Sequence, residues 1–280
     1  MPRLLDFTTM FRYVRFKSNE SDADLPRYGI IKPFHFSAGT GEEQIMLLDG
    51  TPFDHDLGSP QTTDETVARD QVNLMTPVQP TKIIGVAYNY RDKAIEHGKP
   101  LPEVPYLFVK ALSALRAPGQ SIRLNRHCTE VHFEAELAVV IGKTCHKVSE
   151  ATALEYVGGY TIGNDVTDRV LQKSETTFAR AKGMDTFCPL GPFLVRGVSW
   201  ENKNIRTWIN GELRQSGNTS NMVFGVPKII SFVSEFMTLN PGDVILTGSP
   251  AGTSALKAGD RIKIEIDELG SLENVVEHDA

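Results

Sequence analysis

The segment Phe133-Glu134-Ala135-Glu136-Leu137-Ala138-Val139-Val140-Ile141 constrains the fold more than any other stretch of this 280-residue chain. Its second half is an unbroken apolar run, the composition of a strand that lies inside a sheet. At a rise of ~3.3 Å per residue, positions i and i+2 of a strand share a face, so Glu134 and Glu136 point the same way. On an exposed edge strand both would simply be solvated. The apolar continuation argues for burial, where like charges need a compensating cation, and hard carboxylate oxygens favour Mg²⁺, Mn²⁺ or Ca²⁺. A third carboxylate, Asp165, ends another apolar stretch, Gly159-Tyr160-Thr161-Ile162-Gly163-Asn164. Three carboxylates can hold a Mg²⁺ and leave coordination positions for water and substrate; otherwise Asp165 is a turn residue or the N-cap of a helix over 166–172.

The surrounding pattern is strand-rich. Residues 11–16 alternate large apolar and basic groups with period two, and 28–31 and 45–48 are further short strands. A polar stretch over 59–70 follows, with a short helix expected over 64–71, and Pro77 and Pro80 mark entry to a second unit. Beyond it, strands are expected over 82–87, 122–124, 133–141, 205–209, 212–214, 243–247 and 261–266. The pair Asn210-Gly211 signals a hairpin turn. Helical segments are expected over 89–97, 149–156 with Ser149 as N-cap, and 226–236. These elements predict a β-rich α+β protein with a small N-terminal β-rich domain over 1–76 and a larger domain over 77–280.

The formal charge of −6 argues against a nucleic-acid footprint, which needs a clustered basic face, and leaves small molecules as the expected partners. Cys128, Cys145 and Cys188 show neither a disulfide framework nor zinc spacing. No apolar run reaches the ~20 residues of a membrane span, so no membrane partner is expected. The cytoplasm is the expected location, with Arg3, Arg12, Arg15 and Lys17 leaving a mitochondrial alternative. Gly142-Lys143-Thr144 resembles the end of a phosphate-binding loop, but Leu137 stands where that loop requires its first glycine. His127, His132 and His146 match no zinc pattern and read as surface or pocket-lining groups.

Six blocks carry a family resemblance. Besides the two above, extended to Gly142-Lys143 and to Asp165-Val166-Thr167-x-Arg169-x-x-Gln172, they are Lys182-Gly-Met-Asp185-Thr186-Phe-Cys-Pro189-Leu-Gly191-Pro192, Asn210-Gly211-x-x-x-Gln215, Asn240-Pro241-Gly242-Asp243 and Thr247-Gly248-Ser249-Pro250-x-Gly252. In this order, over about residues 80–270, the chain resembles the fumarylacetoacetate hydrolase superfamily, in its acylpyruvase and 2-hydroxyhepta-2,4-diene-1,7-dioate isomerase-like branch. The resemblance implies a mixed β-roll catalytic domain, a smaller N-terminal domain and commonly a homodimer. It implies Glu134, Glu136 and Asp165 as metal ligands and Lys182 as a catalytic cation beside them. It further implies substrate contacts at Tyr90, Arg169, Gln172, Thr247, Gly248 and Ser249, the last replacing a more usual threonine. A small 2-oxo or enolic carboxylic acid is the implied substrate.

Hydrolases of this family carry His-x-x-Glu after Asn-Tyr. Here Asn89-Tyr90-Arg91-Asp92-Lys93-Ala94-Ile95-Glu96-His97 keeps Glu96 but places Lys93 at the histidine position. An ordinary lysine is protonated at neutral pH and cannot take a proton from water. Lys93 either pairs with Glu96 one turn on, anchors a substrate carboxylate, or acts as an activated amine; His97 is a further substitute for the histidine. Glu96 alone can serve as base if partial burial raises its pKa. The expected activity is Mg²⁺-dependent C–C hydrolysis of an acylpyruvate. Decarboxylation or isomerisation of the same substrate class follows closely, and a non-catalytic metal-binding protein is the third reading.

Overall fold

A computed structural model describes residues 10–19, 25–31, 43–55 and 60–279. The long apolar run forms the strand Ala135–Ile141, every residue of which is buried. It pairs antiparallel with Val157–Asn164 on one side and Val244–Leu246 on the other. Its alternate side chains leave by opposite faces: Leu137, Val139 and Ile141 join the largest hydrophobic cluster, while Ala138 and Val140 join a second. Burial on both faces explains why the segment reads as continuous rather than alternating. The strand begins at Ala135, two residues later than the sequence suggested. Glu134 is nevertheless tied to its neighbour, its N–H donating to Asn164 Oδ1 at 3.0 Å and its carbonyl accepting from Asp165 N at 2.9 Å.

This strand lies within a twelve-stranded mixed sheet. Along the main path the order is Thr62–Ala68, Gln44–Leu48, Arg27–Ile31, Phe11–Ser18, Cys188–Arg196, Val157–Asn164, Ala135–Ile141, Val244–Leu246, Ile83–Ala87 and Tyr106–Lys110. The N-terminal strands therefore extend the sheet of the larger unit, through antiparallel pairing of Phe11–Ser18 with Cys188–Arg196. They keep a small cluster of their own around Val14, Phe16, Ile31, Ile45, Leu47 and Val72.

A second, five-stranded sheet runs Glu212–Asn218, Asn204–Ile209, Arg261–Ile266, Gly270–His278 and Ile122–Leu124. Asn210 and Gly211 make its hairpin turn at φ +52° and +84°, as the Asn-Gly pair predicts. The helix Val226–Phe236, with proline in its first turn, buries Val226, Ile229, Ile230 and Val233 in the same cluster as Ile205, Ile262 and Ile264 of this sheet. The β-rich α+β architecture is thus the one expected.

Two local expectations are corrected. Residues 64–71 are not a helix: Thr62–Ala68 is a strand paired with Gln44–Leu48, followed by a single 3-10 turn at Arg69–Gln71. Thr62, Thr63, Thr66 and Val67 are β-branched, and the cross-strand partner decides their conformation. In 149–156 only Ala153–Tyr156 is helical, as a 3-10 turn, and Ser149 does not cap it: its carbonyl accepts from Thr152 N at 3.2 Å in the turn before.

Candidate active site

Glu134, Glu136 and Asp165 converge where the two central strands end. Each can offer an oxygen such that the three atoms lie within 4.8 Å of one another, and all three residues are buried. Asp165 is free for this role because the helix Arg169–Ser174 is capped by Asp168 instead, whose Oδ1 accepts from Val170 N and Leu171 N at 2.9 and 3.1 Å. Gly248, at φ +93°, donates its N–H to Glu136 Oε2 at 2.7 Å. A Cβ there would meet Asn89 Cβ and the Val86 carbonyl at 3.0 Å, so both conformation and close approach require glycine.

Three cations surround two of the carboxylates. Lys182, on the short helix Ala179–Gly183, donates to Glu134 Oε2 at 2.7 Å, to Thr167 Oγ1 at 2.8 Å and to Asp165 Oδ2, and lies 4.8 Å from the Phe108 ring centre. Arg169 donates to Glu134 Oε1 at 2.7 Å. The third is Lys110, which sequence reasoning missed: fully buried, it donates to Asp165 Oδ1 at 2.6 Å and to the Lys182 carbonyl. A lysine closing the apolar strand Tyr106–Lys110 was its only sequence signal.

The resulting electrostatics differ sharply among the carboxylates. Burial pushes the Glu134 carboxyl up, but Arg169, Lys182 and Lys93 outweigh it and hold the group well below the usual range. At Glu136 burial acts together with the charges of Asp165 and Glu134, and the carboxyl is raised well above that range, with Lys182 and the Gly248 N–H offsetting only part. No lysine or arginine among the described residues forms an ion pair with Glu136. Three close hard-oxygen donors with an uncompensated charge at one of them fit a divalent cation.

These groups open onto a cavity of about 690 Å³. Of the expected site residues, Lys93, Glu96, Arg169, Gln172, Lys182, Gly248 and Ser249 line it, together with the three carboxylates. Tyr90 and Thr247 do not reach its wall. Both are fully buried, and the Thr247 hydroxyl donates to the Leu137 carbonyl at 2.8 Å, so these two stand behind the site rather than in it. Ser249 Oγ accepts from Gln215 Nε2 at 3.0 Å, which explains the glutamine in the Asn-Gly block. His132 lines the cavity, whereas His127 and His146 are exposed.

Asn89 fixes the segment bearing Lys93. Its side-chain amide donates to the carbonyls of Thr247 and Phe224 at 2.8 and 3.1 Å and accepts from Phe224 N at 2.8 Å. The helix Arg91–Glu96 starts from this knot. Lys93 Nζ lies 3.1 Å from Glu96 Oε2 and donates to Thr253 Oγ1 at 2.7 Å. Glu96 also accepts from Gly252 N at 3.1 Å. Burial pushes the Glu96 carboxyl up, yet the Gly252 N–H and Lys93 prevail and hold it below the usual range, contrary to the expectation of a raised value. His97 Nε2 lies 3.8 Å from Glu96 Oε2, and burial followed by the Lys93 charge lowers its imidazole.

The fumarylacetoacetate (FAA) hydrolase C-terminal family model matches residues 82–277, and an Rv2993c-like, N-terminal model matches residues 11–77. The chain belongs to the fumarylacetoacetate hydrolase family. Among relatives of this family member, the mitochondrial oxaloacetate tautomerase fahd2 of Xenopus laevis is 42% identical over 288 residues, covering 95% of this chain and 90% of the relative. The 2,4-didehydro-3-deoxy-L-rhamnonate hydrolase of a Sphingomonas species is 43% identical over 202 residues, 68% of this chain and 71% of the relative. In structure, the 2-hydroxyhepta-2,4-diene-1,7-dioate isomerase of Mycobacterium marinum superposes with a TM-score of 0.85 at 36% identity, covering 96% of this chain and 99% of that one.

Proposed function

We propose that this protein is a metal-dependent tautomerase that interconverts the enol and keto forms of a short 2-oxo acid, with oxaloacetate as its type. The observation that carries this reading is Lys93, an ammonium held between Glu96 and Thr253 where hydrolases of the family place histidine. Hydrolysis needs a base that takes a proton from water, and an ammonium has no lone pair to offer. Tautomerisation needs only a proton carrier beside an acidified C–H. Glu96, kept ionised by Lys93 and the Gly252 N–H and facing the cavity, accepts the C3 proton at its carboxylate and delivers it to the 2-oxo oxygen to give the enol, and the reverse transfer gives the keto acid. Glu134, Glu136 and Asp165 would hold the cation, Mg²⁺ by donor type with Mn²⁺ or Ca²⁺ as alternatives. When bound it supplies Lewis-acid stabilisation of negative charge developing on the 2-oxo oxygen. Lys182 holds both Glu134 and Asp165 in place and Lys110 holds Asp165; Ser249, Gly248, Arg169 and Gln172 form the wall against which the substrate is positioned. The 42%-identical oxaloacetate tautomerase supports the reading. The reading includes a homodimer, for which light scattering should give twice the chain mass of 30.9 kDa.

The test is to follow enol-oxaloacetate, acetylpyruvate and fumarylpyruvate by NMR with Mg²⁺ and with EDTA. The expected result is Mg²⁺-dependent ketonisation without C–C cleavage. Cleavage of an acylpyruvate with ketonisation left at its uncatalysed rate would reject the proposal, and pyruvate with CO₂ would assign decarboxylation. Metal binding without turnover of any of these would leave only the non-catalytic reading.

Hydrolysis, the expectation from sequence, retains one specific support. His97 lines the cavity close to Glu96 and its lowered imidazole is neutral at pH 7, so it can act as base in place of the missing histidine. If acylpyruvate cleavage is found, His97→Ala should abolish it.

A further inference from the structure

Thr253 joins two cations that reach the cavity from different elements. Its Oγ1 accepts from Lys93 Nζ at 2.7 Å, from the helix Arg91–Glu96, and from Arg169 Nη2 at 3.2 Å, from the helix Arg169–Ser174. A hydroxyl has two lone pairs, and both are taken. Its proton must then point away from both cations, and Thr253 lines the cavity. Among the described residues no acceptor receives it. Gln172 is set up the same way: its Oε1 accepts from Arg169 Nη1 at 2.8 Å, which leaves its NH₂ as the cavity-facing end. Lys93 keeps a third N–H beyond those directed at Thr253 and Glu96.

Donors without acceptors, flanked by two positive charges, are complementary to a carboxylate. The metal-binding trio cannot be their target, because Arg169 Nη2 already satisfies Glu134 Oε1 at 2.7 Å while its other hydrogen serves Thr253. That shared nitrogen also places the donor group next to the trio, at the reach of a short diacid.

We propose that Thr253, clamped by Lys93 and Arg169 and assisted by Gln172, forms a subsite for the second carboxylate of a dicarboxylic 2-oxo acid. This rests on the tautomerase reading for its substrate but not for its geometry. The subsite selects dianions over monoanions that carry the same chelating end. Thr253 is a specificity-determining residue, and Lys93 gains a role as anchor beyond its pairing with Glu96.

Titration calorimetry with L-malate and L-lactate, unreactive acids that share a 2-hydroxy carboxylate and differ in the second carboxylate, tests this at constant Mg²⁺. The wild type should bind malate at least about tenfold more tightly than lactate. Thr253→Val, which keeps shape and removes the hydroxyl, should lose most of that preference by weakening malate alone, and Thr253→Ser should retain it. Should the valine variant fold poorly by circular dichroism, Lys93→Met tests the same clamp from the other element and should show the same selective loss. Equal affinities of the wild type for the two acids, or a preference that survives loss of the hydroxyl, would overturn the proposal. A malate preference in a protein that does not accelerate ketonisation would uphold the subsite and reject the tautomerase reading instead.

Discussion

Lys93 and Glu136 show how single side chains set the chemistry of this site. Replacing the ammonium with imidazole, Lys93→His, restores a group able to accept a proton from water; acylpyruvate cleavage relative to ketonisation should rise about tenfold or more in the NMR assay. Glu136 carries a cost in the metal-free protein. Its carboxyl is raised by burial and by Asp165 and Glu134, so without metal the folded state binds a proton there more tightly than the unfolded chain. Metal-free stability should therefore fall as pH rises from the ordinary value of 4.5 towards the folded one. Glu136→Gln should remove that slope in urea titrations at a series of pH values, raise the metal-free midpoint, and abolish Mg²⁺-dependent turnover.

The fastening of elements to one another determines whether these side chains meet. Asp243, fully buried at the start of Val244–Leu246, accepts from Thr81 N, Thr81 Oγ1 and Lys82 N at 2.8, 2.7 and 3.0 Å through Oδ1. Through Oδ2 it accepts from Lys82 Nζ and Asn240 N at 2.6 and 2.8 Å. Burial pushes its carboxyl up, but Lys82 and these N–H and O–H donors prevail and hold it below 3.8. Its contribution is thus present above that pH and is lost as pH falls through the folded value. Asp243→Asn should cost about 2–3 kcal/mol in urea unfolding at pH 7, with a smaller difference from wild type in strong acid. At the other end of the same strand pair, a Cβ on Gly85 would come within 2.0 Å of the Phe108 ring. That ring supports Lys182 and meets Phe178 edge-on with centroids 5.8 Å apart, so it has little room to yield. Gly85→Ala should cost about 1–3 kcal/mol of stability and lower turnover together with it.

Across the whole molecule, a cavity with five acidic residues in its wall should make stability depend on an added divalent cation. Binding to the folded state alone stabilises by about 2.7 kcal/mol at a hundred times Kd, so Mg²⁺ should raise the thermal midpoint in a concentration-dependent way that EDTA reverses. In the Glu136→Gln variant that shift should vanish. The two lobes share one sheet, so a single cooperative transition is expected in the same melts, rather than separate unfolding of the N-terminal strands.

The local grammar of the chain was enough to determine the buried glutamate pair, the third carboxylate, the Asn-Gly hairpin and the helix Val226–Phe236, because each is written in residues a few positions apart. The helix misread over 64–71 marks where that grammar stops, since a strand's conformation there is set by a partner elsewhere in the chain. The same limit hid the groups that complete the site. Lys110 meets Asp165 from 55 residues away and Lys93 meets Thr253 from 160. Spacing carries no record of such pairs. Only the tertiary fold decided that Lys110 and Thr253 would reach the site, that Tyr90 and Thr247 would stand behind it, and that the N-terminal strands would join the same sheet. The alternation of a strand fixes which face it buries, but which distant strand lies beside it is decided by packing and hydrogen bonding across the whole fold.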